Sequence, residues 1–311
     1  MTTPAGERKP WLHGLLFALT FLTTWFAGLL YASSFLSAGG PGVGLFDLRS
    51  VRLGLFYALP LMIILTGHEL GHFLTCRRYG VLATYPYFIP GPPILGTFGA
   101  FIRMKSHVGF KHEIFDIGAN GPLTGFLLAL PVLIVGLALS HIVPLPATSP
   151  DAITFGEPLL LKLLSGLFFG RIPEGSTLNL HPAGFAGWVG LLVTAVNLFP
   201  IGQLDGGHVA YAVLGRRTRF LSRIMVVFMA LMGLFFHTSW LLLAVVILIF
   251  ELRSKMRLSH PPVFDEAAPL DAKRRLRSLA IVVIFVLSFI PDPIKGYSLL
   301  DLITRHAGRL G

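Results

Sequence analysis

Charged side chains are missing from six long stretches of this chain, and those stretches set its plan. No Asp, Glu, Lys or Arg lies between Lys9 and Asp47, Arg52 and Glu69, Asp116 and Asp151, Glu174 and Asp205, Arg223 and Glu251, or Arg277 and Asp292. A helix needs roughly 20 apolar residues to cross the hydrocarbon core of a bilayer. The gaps predict membrane helices near 11–33, 53–76, 114–140 and 184–204. The fifth gap reads as a helical hairpin, 219–236 then 239–252, with His237, Thr238 and Ser239 in its turn; one long helix fits the same pattern. A last span runs near 277–297. The first apolar run, from Trp11 to about Leu36, is longer than the roughly 7–15-residue core of a signal peptide, so it reads as an uncleaved span.

Residues 81–106 break the pattern. They are apolar and aromatic but crowded with Pro and Gly, as in Tyr85-Pro-Tyr-Phe-Ile-Pro-Gly-Pro-Pro93, so they cannot continue a helix. The piece from Ala100 to Lys105 is short enough for a strand. Extended backbone at membrane depth needs protein or a water cavity around it. The expectation is a re-entrant, β-like loop or hairpin. Residues 141–183 read as a loop with an amphipathic helix at 157–170, and 254–276 as a Pro-rich, charged linker. The fold class expected is an all-α polytopic membrane protein of about six to seven transmembrane helices, with the β-like loop before the third span. Its parts are 1–50 (first span and loop), 51–215 (catalytic core) and 216–311 (C-terminal helices). No repeat or low-complexity tract is evident, and there is no room for an added soluble domain.

Composition agrees. The chain is 54% hydrophobic and 13% charged over 311 residues, with mean hydropathy +0.73. Average proteins carry about 25% charged residues. The net charge of +10 would suggest nucleic acid in a soluble protein. In a membrane protein it is better explained as a topology signal. With the N-terminus in the cytoplasm, 18 of the 25 Lys and Arg residues fall on the cytoplasmic side. The expectation is a multi-pass protein of a cell (inner) membrane, with the N-terminus and the opening of the active site cytoplasmic; the sequence does not separate a bacterial from an organellar membrane. The lone cysteine, Cys76, excludes an intrachain disulfide.

The chemistry begins inside the second predicted span. From Leu53 to Cys76 the only charged residue is Glu69, within Gly67-His-Glu-Leu-Gly-His72. A charge at the centre of a membrane helix costs roughly 2.5–3.5 kcal/mol on insertion scales. His68 and His72 are four apart and share a helix face. Two neutral imidazoles so placed can bind one zinc ion, and Glu69 can take a proton from a water activated by it.

A catalytic zinc usually has three protein ligands and one open position. The other unusual acid is Asp205, in Asn197-Leu-Phe-Pro-Ile-Gly-Gln-Leu-Asp-Gly-Gly-His208, after 30 uncharged residues. Pro200 and Gly202 break the helix, and Gly206-Gly207 permit a sharp turn. The Asp205 carboxylate can complete a His, His, Asp set; it can also simply cap the next helix.

The two motifs together resemble those of the site-2 protease family of intramembrane zinc metalloproteases, over roughly residues 55–215. The resemblance implies one zinc ion held by His68, His72 and Asp205, Glu69 as catalytic base, and cleavage of a substrate's transmembrane segment. Gly118-Ala-Asn-Gly-Pro122 is similar to the family's Gly/Asn motif, which brings in Asn120 as a group that polarises the scissile carbonyl or braces the core. The 81–106 loop resembles the family's β-region, where a substrate strand adds by β-augmentation. Some members read Asn-Pro at the start of the Asp motif; here Asn197 is followed by Leu198. Asn197 is expected either to donate hydrogen bonds near the substrate backbone or to pack a helix. His208 is expected beside the metal group or in packing. Many relatives carry a PDZ domain, which this chain lacks.

Smaller expectations complete the reading. Cys76 is a buried hydrophobe, His181 and His237 are solvent or interface residues, and Trp11, Trp188 and Trp240 anchor at the membrane interface. The partners implied are a transmembrane protein substrate and the lipid bilayer, with no nucleic acid. The alternative is a membrane metal or ion transporter using the His/Asp cluster as a transit site.

Overall fold

The structure is a computed structural model, and it describes residues 9–38, 40–145, 154–254, 263–266 and 268–295. In chain order the elements are α1 (Pro10–Ser37), α2 (Leu48–Arg78), β1 (Tyr87–Pro90), β2 (Thr97–Phe101), α3 (Lys111–Ala138), β3 (His141–Pro144), α4 (Leu159–Phe169), β4 (Ser176–Asn179), α5 (Pro182–Asn197), α6 (Asp205–Leu214), a 3₁₀ turn (Gly215–Arg217), α7 (Thr218–Phe235), α8 (Thr238–Ser254) and α9 (Ala272–Ser288).

Local chemistry sets the ends of the helices. Pro10 opens α1, where a missing N–H costs nothing. Asp47 caps α2 by accepting from the Arg49 N–H, and Arg77 and Arg78 lie in its last turn, where cations complement the helix dipole. Among the described residues, four stretches are long and apolar enough to cross a membrane: Pro10–Ser37, Leu48–Arg78, Lys111–Ala138 and Asp205–Phe235, the last running through α6, the 3₁₀ turn and α7. Helix α5 has 16 residues, about 24 Å of rise, which falls short of a hydrocarbon core of about 30 Å. The fifth charge gap is two helices, α7 and α8, as the hairpin reading has it. On α1, Leu15, Leu19, Leu22, Phe26 and Leu30 are exposed, the outward apolar face of a protein that lives in a membrane.

The chain clusters into two compact units. The first takes in α1, α2, the β1–β2 hairpin, α3 from Asn120 onward, α4, the β3–β4 pair and α5 up to Thr194. Helices α1 and α2 meet backbone to backbone, because a Cβ on Gly28 would stand only 2.3 Å from the Gly54 carbonyl oxygen. Small residues at a helix crossing permit this approach. The hairpin is antiparallel, with Tyr87 opposite Phe101 and Ile89 opposite Gly99. Its tip is tied to both helices: Thr23 Oγ1 donates to Gly96 O at 2.6 Å, Tyr57 OH to Leu95 O at 2.7 Å, and Tyr31 OH to Ile94 O.

The second unit holds the first turns of α3, the last residues of α5, and α6 to α9. Its core packs Phe199, Ile201, Val226, Met229, Trp240 and Ala244.

Several expectations need correcting. The strand placed at 100–105 lies at 97–101, and Met104 instead makes an isolated bridge to Ala83. The 141–183 segment holds the expected helix (α4) but also pairs β3 with β4, two four-residue strands too short to show an alternating pattern. Trp11 is 62% exposed, as an anchor should be, but Trp188 and Trp240 are each 2% exposed. Trp188 stacks on Phe185, and Trp240 donates its indole N–H to Pro291 O at 2.8 Å. His181 is buried as well. Its backbone N–H donates to Ser140 Oγ at 2.9 Å and its Nδ1 accepts from the Ala183 N–H at 3.2 Å. Burial lowers its pKa.

Candidate metal centre

Helix α2 presents His68, Glu69 and His72 at 3%, 4% and 6% exposure. The helical spacing sets the two imidazole rings 4.9 Å apart, centroid to centroid. Around them the helix surface is cut back by glycine. Cβ atoms on Gly67 and Gly71 would stand 2.1 Å from a Leu128 methyl and 2.5 Å from Asn120 O on α3. The reciprocal face of α3 is also glycine: a Cβ on Gly121 would fall 2.0 Å from His72 Nε2, and one on Gly125 3.0 Å from His68 Nδ1. Gly67 and Gly71 are one turn apart, and so are Gly121 and Gly125. Each helix thus gives the other a small-residue groove, and the imidazoles rest on the groove of α3.

Asn120 is half-buried beside this contact. Its Nδ2 donates to Thr75 Oγ1 at 2.9 Å, and Thr75 in turn donates to Gly71 O at 2.7 Å. Thr124 Oγ1 donates to Asn120 O at 2.7 Å. The Asn120 side chain therefore ties α3 to α2, while the Thr124 bond stays within α3. Cys76 is fully buried at the end of the same helix.

Asp205 comes from a different stretch. Helix α5 ends at Asn197, and the chain turns through residues 198–204 with Gly202 at φ +46°. Leu204, in extended conformation, stands at the N-cap of α6, so Asp205 is the first helical residue and not the cap. The two glycines after it explain the tightness of the turn. A Cβ on Gly206 would be 2.0 Å from Leu198 O, and one on Gly207 2.4 Å from Gly202 O. The incoming carbonyls lie directly on the first turn of α6, where no larger residue fits. Gly118 on α3 does the same from another side: its Cβ would meet His208 Cβ at 2.8 Å and Asp205 O at 3.0 Å. His208 is buried against α3 in that contact, and Asn197 is half-buried at the end of α5.

His68, His72 and Asp205 each offer one ligand atom, and the three atoms all lie within 4.8 Å of one another. Ligand atoms at zinc bond lengths of about 2.0–2.2 Å stand roughly 3.4 Å apart in a tetrahedron. Two imidazoles and a carboxylate at this spacing suit zinc in both chemistry and size. Glu69, the residue after His68, is itself buried at 4% exposure. The glycine grooves at 67/71 and 121/125 are the features that sequence reasoning missed as parts of the site. Their four-residue spacing was the available signal.

Comparison with known proteins bears on the same residues. The model of Peptidase family M50 matches residues 56–239. Among curated proteins, the chain is 34% identical over 241 residues to "Probable zinc metalloprotease EGY2, chloroplastic" of Arabidopsis thaliana, covering 77% of this chain and 42% of the relative. It is 32% identical over 250 residues to "Probable zinc metalloprotease EGY1, chloroplastic" of Oryza sativa subsp. japonica, covering 78% and 41%. It is 38% identical over 173 residues to EGY1 of Arabidopsis thaliana, covering 51% and 30%. The chain spans less than half the length of these relatives. Since the matched span takes in both the His-Glu-x-x-His helix and the Asp-Gly-Gly turn, the chain belongs to peptidase family M50, the site-2 protease family.

Proposed function

We propose that this chain is an intramembrane zinc metalloprotease that hydrolyses a peptide bond in or near a transmembrane segment of a membrane-protein substrate. The observation that carries the reading is the convergence of His68, His72 and Asp205 within 4.8 Å, beside a buried Glu69, on helices otherwise apolar. The relatives' names, probable zinc metalloproteases, point the same way.

His68, His72 and Asp205 would hold one zinc ion. When bound, zinc polarises the scissile carbonyl and brings the pKa of a coordinated water toward about 7. Glu69 takes the proton of the attacking water and delivers it to the leaving amine. Its burial keeps bulk water from competing for that proton. Asn120 holds α3 on α2, and His208 holds α6 on α3; both act by position. Asn197, at the end of α5, would donate to the substrate backbone.

The β1–β2 hairpin is the re-entrant element in this reading, and an unwound substrate pairs with it as an added strand. The shorter helices α5, α8 and α9 bring the spans to six or seven, with local thinning of the bilayer around them. The cation bias favours the N-terminus and the mouth of the site on the face that carries most of the Lys and Arg, cytoplasmic in a cell membrane. The relatives named are chloroplastic, so an organellar membrane with the same polarity fits as well.

The test is Glu69→Gln. The variant is expected to bind zinc in the same ratio as the unaltered chain and to lose cleavage of a labelled transmembrane peptide. Undiminished cleavage would remove Glu69 from the chemistry. Zinc flux into vesicles without peptide cleavage would turn the reading into the transporter one.

A further inference from the structure

The family match ends at residue 239, yet the chain beyond it returns to the segment of α3 that carries Gly118. We propose that residues 263–266 and 268–274 form a strap that positions the Asp205 turn, and that Arg274 is its main fastening, acting through Asp116. The inference rests on the protease reading above.

The strap joins two elements of one unit. The Phe264 N–H donates to Gly109 O at 2.9 Å, and Asp265 Oδ1 accepts the Lys111 N–H at 2.9 Å. Lys111 opens α3, so this bond satisfies one of the N–H groups that a helix start leaves without a partner. Lys111 Nζ donates back to Ala268 O at 2.9 Å. Glu266 then takes Arg216 by both Nε and Nη2, at 3.1 Å each, just past the end of α6. The strap therefore grips the start of the helix that bears Gly118 and the end of the helix that bears Asp205.

Arg274 closes the arrangement. Asp271 caps α9 by accepting the Arg274 N–H at 3.0 Å and holds Nη1 at 2.5 Å. The same guanidinium gives Nε and Nη2 to the two oxygens of Asp116, at 3.0 and 2.5 Å. Arg277 Nη1 stands 3.8 Å from Asp116 Oδ1. Asp116 is only 6% exposed. A buried carboxylate is tolerated only when paired and hydrogen-bonded, and the planar fork of arginine fixes both its place and its orientation. Two residues further along α3, Gly118 lies in direct contact with Asp205 O and His208 Cβ. A rotation of α3 that frees Asp116 therefore drives Gly118 into the Asp205 turn or away from it. Arg274 is a positioning residue, since it touches neither ligand nor substrate.

The full-length protein, purified in detergent and loaded with zinc, tests this. Zinc transfer to a chelating dye is followed beside cleavage of a transmembrane peptide. Arg274→Ala is expected to release zinc about tenfold faster and to lose about tenfold in kcat with KM little changed, at the low end of what outer positioning groups cost. Arg275→Ala, which removes an exposed neighbouring cation, changes neither. Adding Asp116→Asn to Arg274→Ala brings little further loss, because Arg274 acts through Asp116 and the two losses do not add. Zinc release and kcat at wild-type values in Arg274→Ala, or losses that simply add in the double variant, overturn the proposal. Should Arg274→Ala not fold, Arg274→Lys keeps the charge without the fork and is judged by the same criteria. An unaltered chain that neither holds zinc nor cuts the peptide sinks the protease reading itself. One that does both while Arg274→Ala matches it sinks the strap alone.

Discussion

Replacing Gly121 by alanine should disable the metal centre while leaving the protein folded. The added Cβ would stand 2.0 Å from His72 Nε2, 2.3 Å from Cε1 and 2.4 Å from Cδ2. Ordinary contact begins near 3.4 Å, so the imidazole must retreat by about 1.4 Å, whereas zinc-binding distances tolerate only about 0.2 Å. The ring is the free end of a side chain and can swing aside, so the global cost stays in the range of moderate overpacking, about 1–3 kcal/mol. The ligand position, however, is lost, and loss of one ligand costs far more in zinc affinity than in stability. Gly125→Ala provides the graded comparison, since its Cβ would sit 3.0 Å from His68 Nδ1 and asks for a few tenths of an ångström. Gly14→Ala, with nothing within 4 Å, is neutral. The assay is zinc content by mass spectrometry beside thermal melting for the three variants. Gly121→Ala that retains stoichiometric zinc would refute the packing argument and with it the role given to His72.

Three further outcomes follow from the same geometry. Asp205→Ala should leave zinc substoichiometric after dialysis against a weak chelator; full retention would remove the carboxylate from the ligand set. Tyr57→Phe deletes the 2.7 Å bond to Leu95 O and should destabilise the hairpin tip by about 1 kcal/mol, seen as faster amide exchange in residues 94–97. His181, its pKa lowered from 6.5 by burial, stays neutral in the folded chain while the unfolded chain takes up a proton as pH falls past 6.5. Stability is therefore lost as pH drops through that value toward the folded pKa, and His181→Gln should flatten the difference in melting between pH 7.5 and pH 5.5.

What could be read from the sequence, and what could not, follows from the range of each interaction. His68 and His72 were legible because helical spacing alone sets them on one face. Asp205 was legible because an acid after 30 uncharged residues must be justified. The hairpin announced itself through Pro90, Gly91, Pro92 and Pro93, but its register did not. Gly99, at φ +101°, lies inside a strand whose partner could be fixed only by the packing of both strands on α1 and α2. Trp188 and Trp240 look like interface residues by type, and burial is a tertiary property that type does not carry. Asp116 served only to mark the end of a charge gap, because its partner Arg274 lies 158 positions away. The glycines of α2 and α3 stand in motifs whose reason, close approach of the neighbouring helix, is a tertiary one.

The three hydroxyls that hold residues 94–96 have a consequence for how a guest chain would be received. Phe98 stands 73% exposed just past that tethered tip, on a ribbon that is already ordered before anything arrives. Ordering a mobile loop on association typically subtracts from affinity; here that cost has been met during folding. If a substrate strand adds to this ribbon as proposed, the arriving peptide would surrender only its own freedom, and the barrier to engagement would lie in melting the guest's helix. Selectivity would then favour segments whose helices are weakly formed at the level of the ribbon.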